Sequence, residues 1–226
     1  MNDNDILTDA FRAAGEGYGY EEVTAEFVAF KDFKVRWSRS HVWARFYVSD
    51  YLMDAPSEVL TSIADTLFRK INGDITSGYG EAVTAWLTSD RFVEVKQPLF
   101  IRRTRGLGLG TAGEQWDLAD SYRRLVDSGL VKEDPLLFMG WNTRARGGCV
   151  GRSSVLMRTI AMSSRLDTPE VSRDAVDYAL YSQICHIALG FRPDRPVYCP
   201  EYDDLLALYP GRQACEEELL TLGLSP

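Results

Sequence analysis

Three polar side chains share one face of a predicted helix in residues 177–187. They are Ser182, Gln183 and His186. In a metal-binding helix of the H-E-x-x-H type, two histidines four residues apart lie on one face, and the glutamate between them is the general base for a metal-bound water. Here Ser182 stands at the first ligand position, Gln183 at the base position and His186 at the second ligand position. The Gln183 amide cannot accept a water proton as a carboxylate does.

The helix that carries these residues is predicted to be buried. Ser172 is suited to cap its start, and Asp174 lies in the first turn, where the helix dipole favours a carboxylate. A helix that is apolar all round is typical of the centre of a domain. Its polar arc consists of Ser182, Gln183 and His186. The apolar residues on its two sides are Val176, Leu180, Ile184 and Ile187 on one and Tyr178, Tyr181 and Leu189 on the other.

The chain as a whole alternates between helical and strand patterns without a regular order. Helices are predicted over residues 5–14, 56–72, 79–90, 117–128, 172–189, 201–208 and 212–222. Strands are predicted over residues 42–48, 97–103, 135–141 and 154–163. The alternation is too irregular for a doubly wound sheet, so an α+β fold is expected.

The segment from about residue 139 to residue 222 resembles the catalytic region of the SprT-like and minigluzincin zinc metallopeptidases. In those families a Gly-Cys-containing hairpin and an edge strand precede an acid-flanked helix with the pattern v.dyv.yHEl.H. A loop follows with a further histidine and an aromatic residue four positions later. The matching features here are Gly148-Cys149, residues 160–167, residues 176–187, Tyr198 and Tyr202.

This resemblance implies a zincin-like α+β fold, with a mixed β-sheet and a buried active-site-type helix near residues 172–189. Residues 1–226 would form a single domain that contains the catalytic-type region 139–222, and residues 1–50 could be a β-rich N-terminal extension. The resemblance also assigns the third ligand position to Tyr198.

The metal site that the resemblance implies is degenerate. Catalytic zinc needs about three protein ligands and one open position. Ser182 is a poor ligand unless it is deprotonated, and the phenol of Tyr198 is little better at neutral pH. His186 is the only retained ligand type. We therefore expect no bound metal or other cofactor, and a metallopeptidase-like protein that does not catalyse hydrolysis.

An active zinc-dependent hydrolase with substituted ligands is the alternative. His186 could then act with Cys199 or Glu201, and Asp203 is a further carboxylate nearby. Cys185 lies about 100° from His186 around an ideal helix, so these two side chains should not bind one ion. In that alternative the cofactor would be zinc.

A protein or peptide is the expected partner. In zincin-like folds the strand before the active helix lies at a sheet edge, where an extended peptide can add as a further strand. The residues expected to form that groove edge here are Val155, Met157, Thr159 and Ala161.

A structural or assembly protein is another alternative. Its contacts could come from Trp37, Trp43 and Tyr47, although such aromatic residues more often lie in a core.

Charge and composition argue against other partners. The formal net charge of −8 argues against a nucleic-acid binder, whose affinity depends on Lys and Arg contacts to phosphate.

No stretch approaches the roughly 20 apolar residues of a membrane-spanning helix, and the N-terminus lacks the features of a secretory signal. The four cysteines are widely spaced without a C-x-x-C pair, which favours reduced thiols and a cytoplasmic protein. The oligomeric state stays open.

Overall fold

The computed structural model describes residues 3–74, 78–144, 147–193 and 198–225. The chain divides into two compact units, Met1–Phe92 and Val93–Pro226. Eight α-helices and two three-stranded mixed sheets occur in the described residues, which confirms the α+β class. Within those residues, no helix is both long enough and apolar enough to span a bilayer. That residues 1–226 act as a single domain stays a prediction.

The first unit packs helices against a small sheet. The strands of this sheet are β1 (Glu22–Val28), β2 (Val35–Arg39) and β3 (Trp43–Ser49). Their order is β1-β3-β2, with β1 parallel and β2 antiparallel to β3. The ring of Phe46 on β3 lies at the centre of the core, 4.7 Å from the ring of Phe11 and 5.1 Å from that of Phe68. The helices of this unit are α1 (Asp3–Glu16), α2 (Ser57–Ile71) and α3 (Glu81–Leu87).

Local sequence signals explain the bounds of α2. Pro56 precedes its first residue, and Gly73 follows its end with a φ of +106°, a conformation that glycine adopts without steric cost. The buried residues of α2 recur at helical spacing, from Val59 to Ile71. The prediction of this helix is confirmed.

The second unit is built around one helix and a second sheet. The strands of this sheet are β4 (Phe138–Asn142), β5 (Gly151–Ser154) and β6 (Thr159–Ser163). Their order is β4-β6-β5, with β4 parallel and β5 antiparallel to the central β6. Helix α4 (Asp90–Arg103) begins before the division between the units. The helices after it are α5 (Leu118–Asp127), α6 (Arg173–Ala188), α7 (Pro200–Ala207) and α8 (Arg212–Thr221).

The predicted strand over residues 97–103 is wrong, because these residues complete helix α4. A short apolar run fits a buried strand and a helix segment equally well, so periodicity could not separate the two. A long-range interaction involves this part of the helix. The Gln97 side-chain amide donates to the backbone carbonyls of Leu136, Met157 and Arg158 at 2.7, 2.8 and 3.2 Å.

The strand predicted over residues 154–163 is confirmed for Thr159–Ser163, but its predicted position at a sheet edge is wrong. Residues 154–163 contain a chain reversal, so Val155 and Met157 lie in the connection between β5 and β6. Thr159 and Ala161 belong to β6, which has a hydrogen-bonded neighbour on each side. Arg158, with a φ of +41°, makes the reversal without the glycine or asparagine that would have indicated a turn. This strand is therefore not a free edge.

Helix α6 forms as expected and lies in the core. The Ser172 hydroxyl accepts a hydrogen bond from the Ala175 backbone N–H and so caps the first turn. Every residue from Ala175 to His186 is buried. The predicted central position of this helix is confirmed.

Candidate functional site

The first two side chains of the polar arc, Ser182 and Gln183, form hydrogen bonds within helix α6 itself. Ser182 is fully buried, and its hydroxyl donates to the Ala179 carbonyl one turn earlier at 2.7 Å. The Gln183 amide donates to the Ser182 hydroxyl at 3.4 Å. Buried polar groups need such partners, because an unsatisfied one costs about 1–3 kcal/mol. Both side chains therefore serve internal hydrogen bonds.

His186 lies among tyrosines from the segment that follows the helix. Its ring stacks on that of Tyr202, with centroids 4.1 Å apart and planes 8° apart. The ring of Tyr198 meets it edge-on, with centroids 5.8 Å apart and planes 78° apart. The Tyr202 hydroxyl donates to the Ser182 carbonyl at 3.4 Å. The fold thus brings Tyr198 and Tyr202, from the segment after the helix, against His186 on the polar arc.

Burial controls the charge of this cluster. It lowers the pKa of His186 below its ordinary value of 6.5, because a charged imidazolium would lose its hydration. Burial is also the main reason that the pKa of Tyr202 is raised above 10.0. At neutral pH the imidazole is therefore uncharged and the Tyr202 phenol keeps its proton. Neither the protonated Tyr202 phenol nor the Ser182 hydroxyl is a good zinc ligand.

The substitute ligands proposed from the sequence have other surroundings. Cys185 is buried, and burial raises the pKa of its thiol to about 11, so a thiolate is disfavoured. Glu201 forms an ion pair with Arg192 at 3.6 Å. Cys199 is half-buried at the start of α7. Across the described ranges, no three His, Cys, Asp or Glu residues are grouped so that they could hold a metal ion.

Strand β5 lies beside the polar arc. A Cβ placed on Gly151 would come within 3.3 Å of the Gln183 Cγ and 3.1 Å of the Ala161 carbonyl oxygen. Both distances are tighter than usual, so the close approach of strand and helix favours glycine at this position. Sequence reasoning missed Gly151. The strand beside the arc is β5, not the predicted strand of Val155, Met157, Thr159 and Ala161.

A cavity of about 520 Å³ lies on the opposite face of α6. Tyr181, Ile184 and Ile187 contribute its helical wall, and Leu205 lines it from α7. On an ideal helix Ile184 points about 160° away from His186. This cavity and the polar arc are therefore separate features of the same helix.

No family model, no curated protein and no solved structure matches this chain.

Proposed function

We propose that this chain is a metallopeptidase-like protein without hydrolytic activity that binds a protein or peptide partner. One observation carries the proposal. The three motif positions on α6 hold a serine bonded to its own helix, a glutamine bonded to that serine and a histidine stacked on Tyr202. The zincin-like identity of the second unit is part of the same proposal.

The position of Tyr198 supports the metallopeptidase origin. Two imidazole rings bound to one tetrahedral zinc through Zn–N bonds of about 2.0–2.1 Å have centres about 5 Å apart. The ring centroid of Tyr198 lies 5.8 Å from that of His186. An aromatic ring at the expected third ligand position is thus near the distance at which a ligand pair would stand.

The chemistry at the base position supports the loss of activity. A general base for water must accept a proton, and the neutral Gln183 amide has no basic group near neutral pH. Gln183 is also buried and donates to Ser182. Restoring a metal alone would therefore leave hydrolysis without its base.

Partner binding does not depend on the metal site. Loss of zinc ligands leaves sheet edges and surface aromatic residues unchanged, and peptides bind to such edges through backbone hydrogen bonds. Trp37 and Trp43 are 48% and 38% exposed, so these aromatics are not in the core of the first unit. They offer contact area for a partner.

Zinc content and peptidase activity test the proposal together. The purified wild-type chain should hold well under about one tenth of a zinc ion per molecule, and it should not cleave casein with added zinc. The triple variant Ser182→His, Gln183→Glu, Tyr198→His should gain about one zinc per chain, because it restores three imidazole ligands. Adding His186→Ala to that variant is the matched control and should remove the gained zinc.

Two results would count against the proposal in different ways. Stoichiometric zinc in the wild-type chain, together with casein cleavage that a chelator stops, would show an active hydrolase. A folded triple variant that binds no zinc would remove the support for a metallopeptidase origin. Circular dichroism of each variant establishes whether it is folded.

A further inference from the structure

We propose that the outer edge of β2 binds an acidic, extended peptide segment as an added strand. The inference names a surface and a partner chemistry for the partner binding in the proposed function, and it rests on that function. The surface, called here the β2 edge, consists of Lys34 and the residues of β2, Val35–Arg39.

The pairing of β2 with β3 leaves one set of backbone groups facing outward. The Ser49 N–H bonds the Lys34 carbonyl, and the Ser40 N–H bonds the Trp43 carbonyl. In an antiparallel ladder such bonded pairs alternate with non-bonded pairs. The N–H and C=O groups of Val35, Trp37 and Arg39 therefore point away from β3.

These outward groups form a free edge. Arg36, Trp37, Ser38 and Arg39 are all exposed. Within the described ranges, the hydrogen-bonded neighbour of β2 in its sheet is β3, and β2 has no neighbour on its other side. A row of unpaired N–H and C=O groups is a template for another extended chain.

The opposite edge of the same sheet is protected, which makes the contrast informative. The Thr8 hydroxyl on α1 donates to the Ala25 carbonyl at 2.7 Å and accepts from the Ala25 N–H at 3.2 Å. The Asn4 side chain accepts from the Phe27 N–H at 2.9 Å. Side chains of α1 thus occupy the backbone groups of β1, and the equivalent groups of β2 stay open.

The charge of the β2 edge selects the partner. Lys34, Arg36 and Arg39 place three cations along it in a chain whose net charge is −8. The Lys34 ammonium and the Arg36 guanidinium lie over the Phe30 ring, at 4.8 and 5.3 Å from its centroid. Arg39 donates to the Tyr20 hydroxyl at 3.2 Å. Among the described residues none of the three cations is in an ion pair, so a carboxylate-rich strand would supply the missing counter-charges.

A second copy of this chain is a poor occupant of the same edge. Pairing β2 with β2 would bring two rows of Lys and Arg side chains together, and like charges on neighbouring strands destabilise a pair. Pairing β2 with β1 is opposed by α1, which occupies the β1 edge through Thr8 and Asn4. Both routes to self-association are disfavoured, whereas an acidic partner meets neither obstacle.

Trp37 adds an apolar contact to the electrostatic one. Its side chain is 48% exposed at the edge, and its register partner on β3 is the buried Phe46. Side chains alternate along a strand, so Trp37 and Arg39 share one face of β2 while Arg36 lies on the other. An added strand with alternating apolar and acidic residues would match this arrangement.

Fluorescence anisotropy with a defined peptide tests the inference. The probe is a labelled ten-residue peptide of alternating glutamate and valine, and the comparison peptide has lysine in place of glutamate. The glutamate peptide should bind the intact chain, and the lysine peptide should not. Raising the salt from about 50 mM to about 500 mM should weaken binding at least about fivefold, because exposed charges are screened.

Matched variants locate the binding surface. Arg36→Glu on the β2 edge should weaken binding at least about tenfold, and Arg12→Glu on α1, an equal charge change, should alter it less than about twofold. Val35→Pro removes one outward N–H and leaves all three cations, so it should also weaken binding while the strand stays folded. Thermal unfolding of each variant identifies any loss of fold.

Three outcomes would overturn the inference. They are equal binding of both peptides, unchanged binding by the folded Val35→Pro and Arg36→Glu variants, and a dimer in sedimentation that Val35→Pro abolishes. The last would assign the edge to a second copy. The outcomes of the zinc and casein experiments are independent of the outcome of the peptide-binding experiment. If the chain cleaves casein and binds the glutamate peptide, only the proposed lack of activity is refuted. If the chain is inactive and does not bind the peptide, only the proposed binding role of the β2 edge is refuted.

Discussion

The rings of His186 and Tyr202 are stacked face to face, with centroids 4.1 Å apart. Burial of the His186 imidazole lowers its pKa below 6.5 in the folded chain. The unfolded chain therefore binds a proton at a higher pH than the folded chain does. The contribution of neutral His186 to stability is fully present above pH 6.5 and is lost as the pH falls toward the lowered folded pKa.

Replacing His186 should flatten that part of the pH dependence. The variant His186→Gln should lose less free energy of unfolding than the wild type between about pH 7 and pH 5, because glutamine has no proton to gain. Urea unfolding across this range measures the difference. A wild-type His186 imidazole that titrates above 6.5 by NMR would contradict the argument.

Arg124 on α5 should stabilise the second unit through Asp177. Its guanidinium makes a two-pronged ion pair with that carboxylate, at 2.7 and 2.6 Å, and the Asp177 side chain is only 8% exposed. Arg124→Ala leaves the buried charge unpaired, so we expect a loss of about 3 kcal/mol in the free energy of unfolding. Denaturant unfolding measures it.

A neighbouring arginine provides the control for that change. Arg123 pairs with Asp120 at 2.8 Å, but both side chains are more than half exposed. Arg123→Ala should therefore cost less than about 1 kcal/mol. Equal costs at the two positions would show that burial of Asp177 does not matter.

Gly113 should be required by the loop that binds Asp167. The Asp167 carboxylate accepts backbone N–H bonds from Glu114, Gln115 and Trp116 at 2.6, 2.9 and 2.9 Å. Burial opposes its ionisation, but these three bonds outweigh burial and hold the pKa of Asp167 below 3.8. A Cβ on Gly113 would collide with this carboxylate.

The variant Gly113→Ala should therefore lower the free energy of unfolding by about 1–3 kcal/mol, because it disturbs hydrogen bonds to a charged group. Gly110→Ala is the matched control, since a Cβ there has no neighbour within 4 Å. The effect at Gly113 should shrink in acid, where Asp167 becomes protonated as the pH falls through its lowered pKa. Equal effects of the two variants in thermal unfolding would refute this role.

Thiol labelling should separate the cysteines by burial. Cys149 is exposed, whereas Cys185 and Cys215 are buried, and burial raises the pKa of both buried thiols to about 11. Iodoacetamide should modify Cys149 in the native chain and leave Cys185 and Cys215 largely unmodified until the chain unfolds. Mass spectrometry of native and denatured samples checks this order. Native labelling of Cys185 at the rate of Cys149 would contradict it.

Helices with terminal signals could be predicted from the sequence. Helix α5 starts after Asp117, whose side chain accepts from the Ala119 N–H, and Gly129 follows its end with a φ of +77°. Helix α6 has the equivalent cap at Ser172. Caps and apolar periodicity act within one or two turns, so they are visible without the fold.

Residues 97–103 and 154–163 show where such local signals end. The helical state of the first segment accompanies hydrogen bonds from Gln97 to carbonyls some 40–60 positions away. The reversal in the second depends on Arg158 at a φ of +41°. Neither a distant carbonyl nor a strained turn leaves a periodic pattern in the sequence.

The sequence by itself determined the residue types on α6: a hydroxyl, an amide and one imidazole where a metal helix needs two imidazoles and a carboxylate. Donor chemistry belongs to the side chain and does not change with the fold. Only the tertiary structure decided that His186 stacks on Tyr202, that β6 is central in its sheet and that the β2 edge is open. Ring stacking and strand pairing join residues far apart in the chain, so folding decides which side chains meet and which backbone groups stay free.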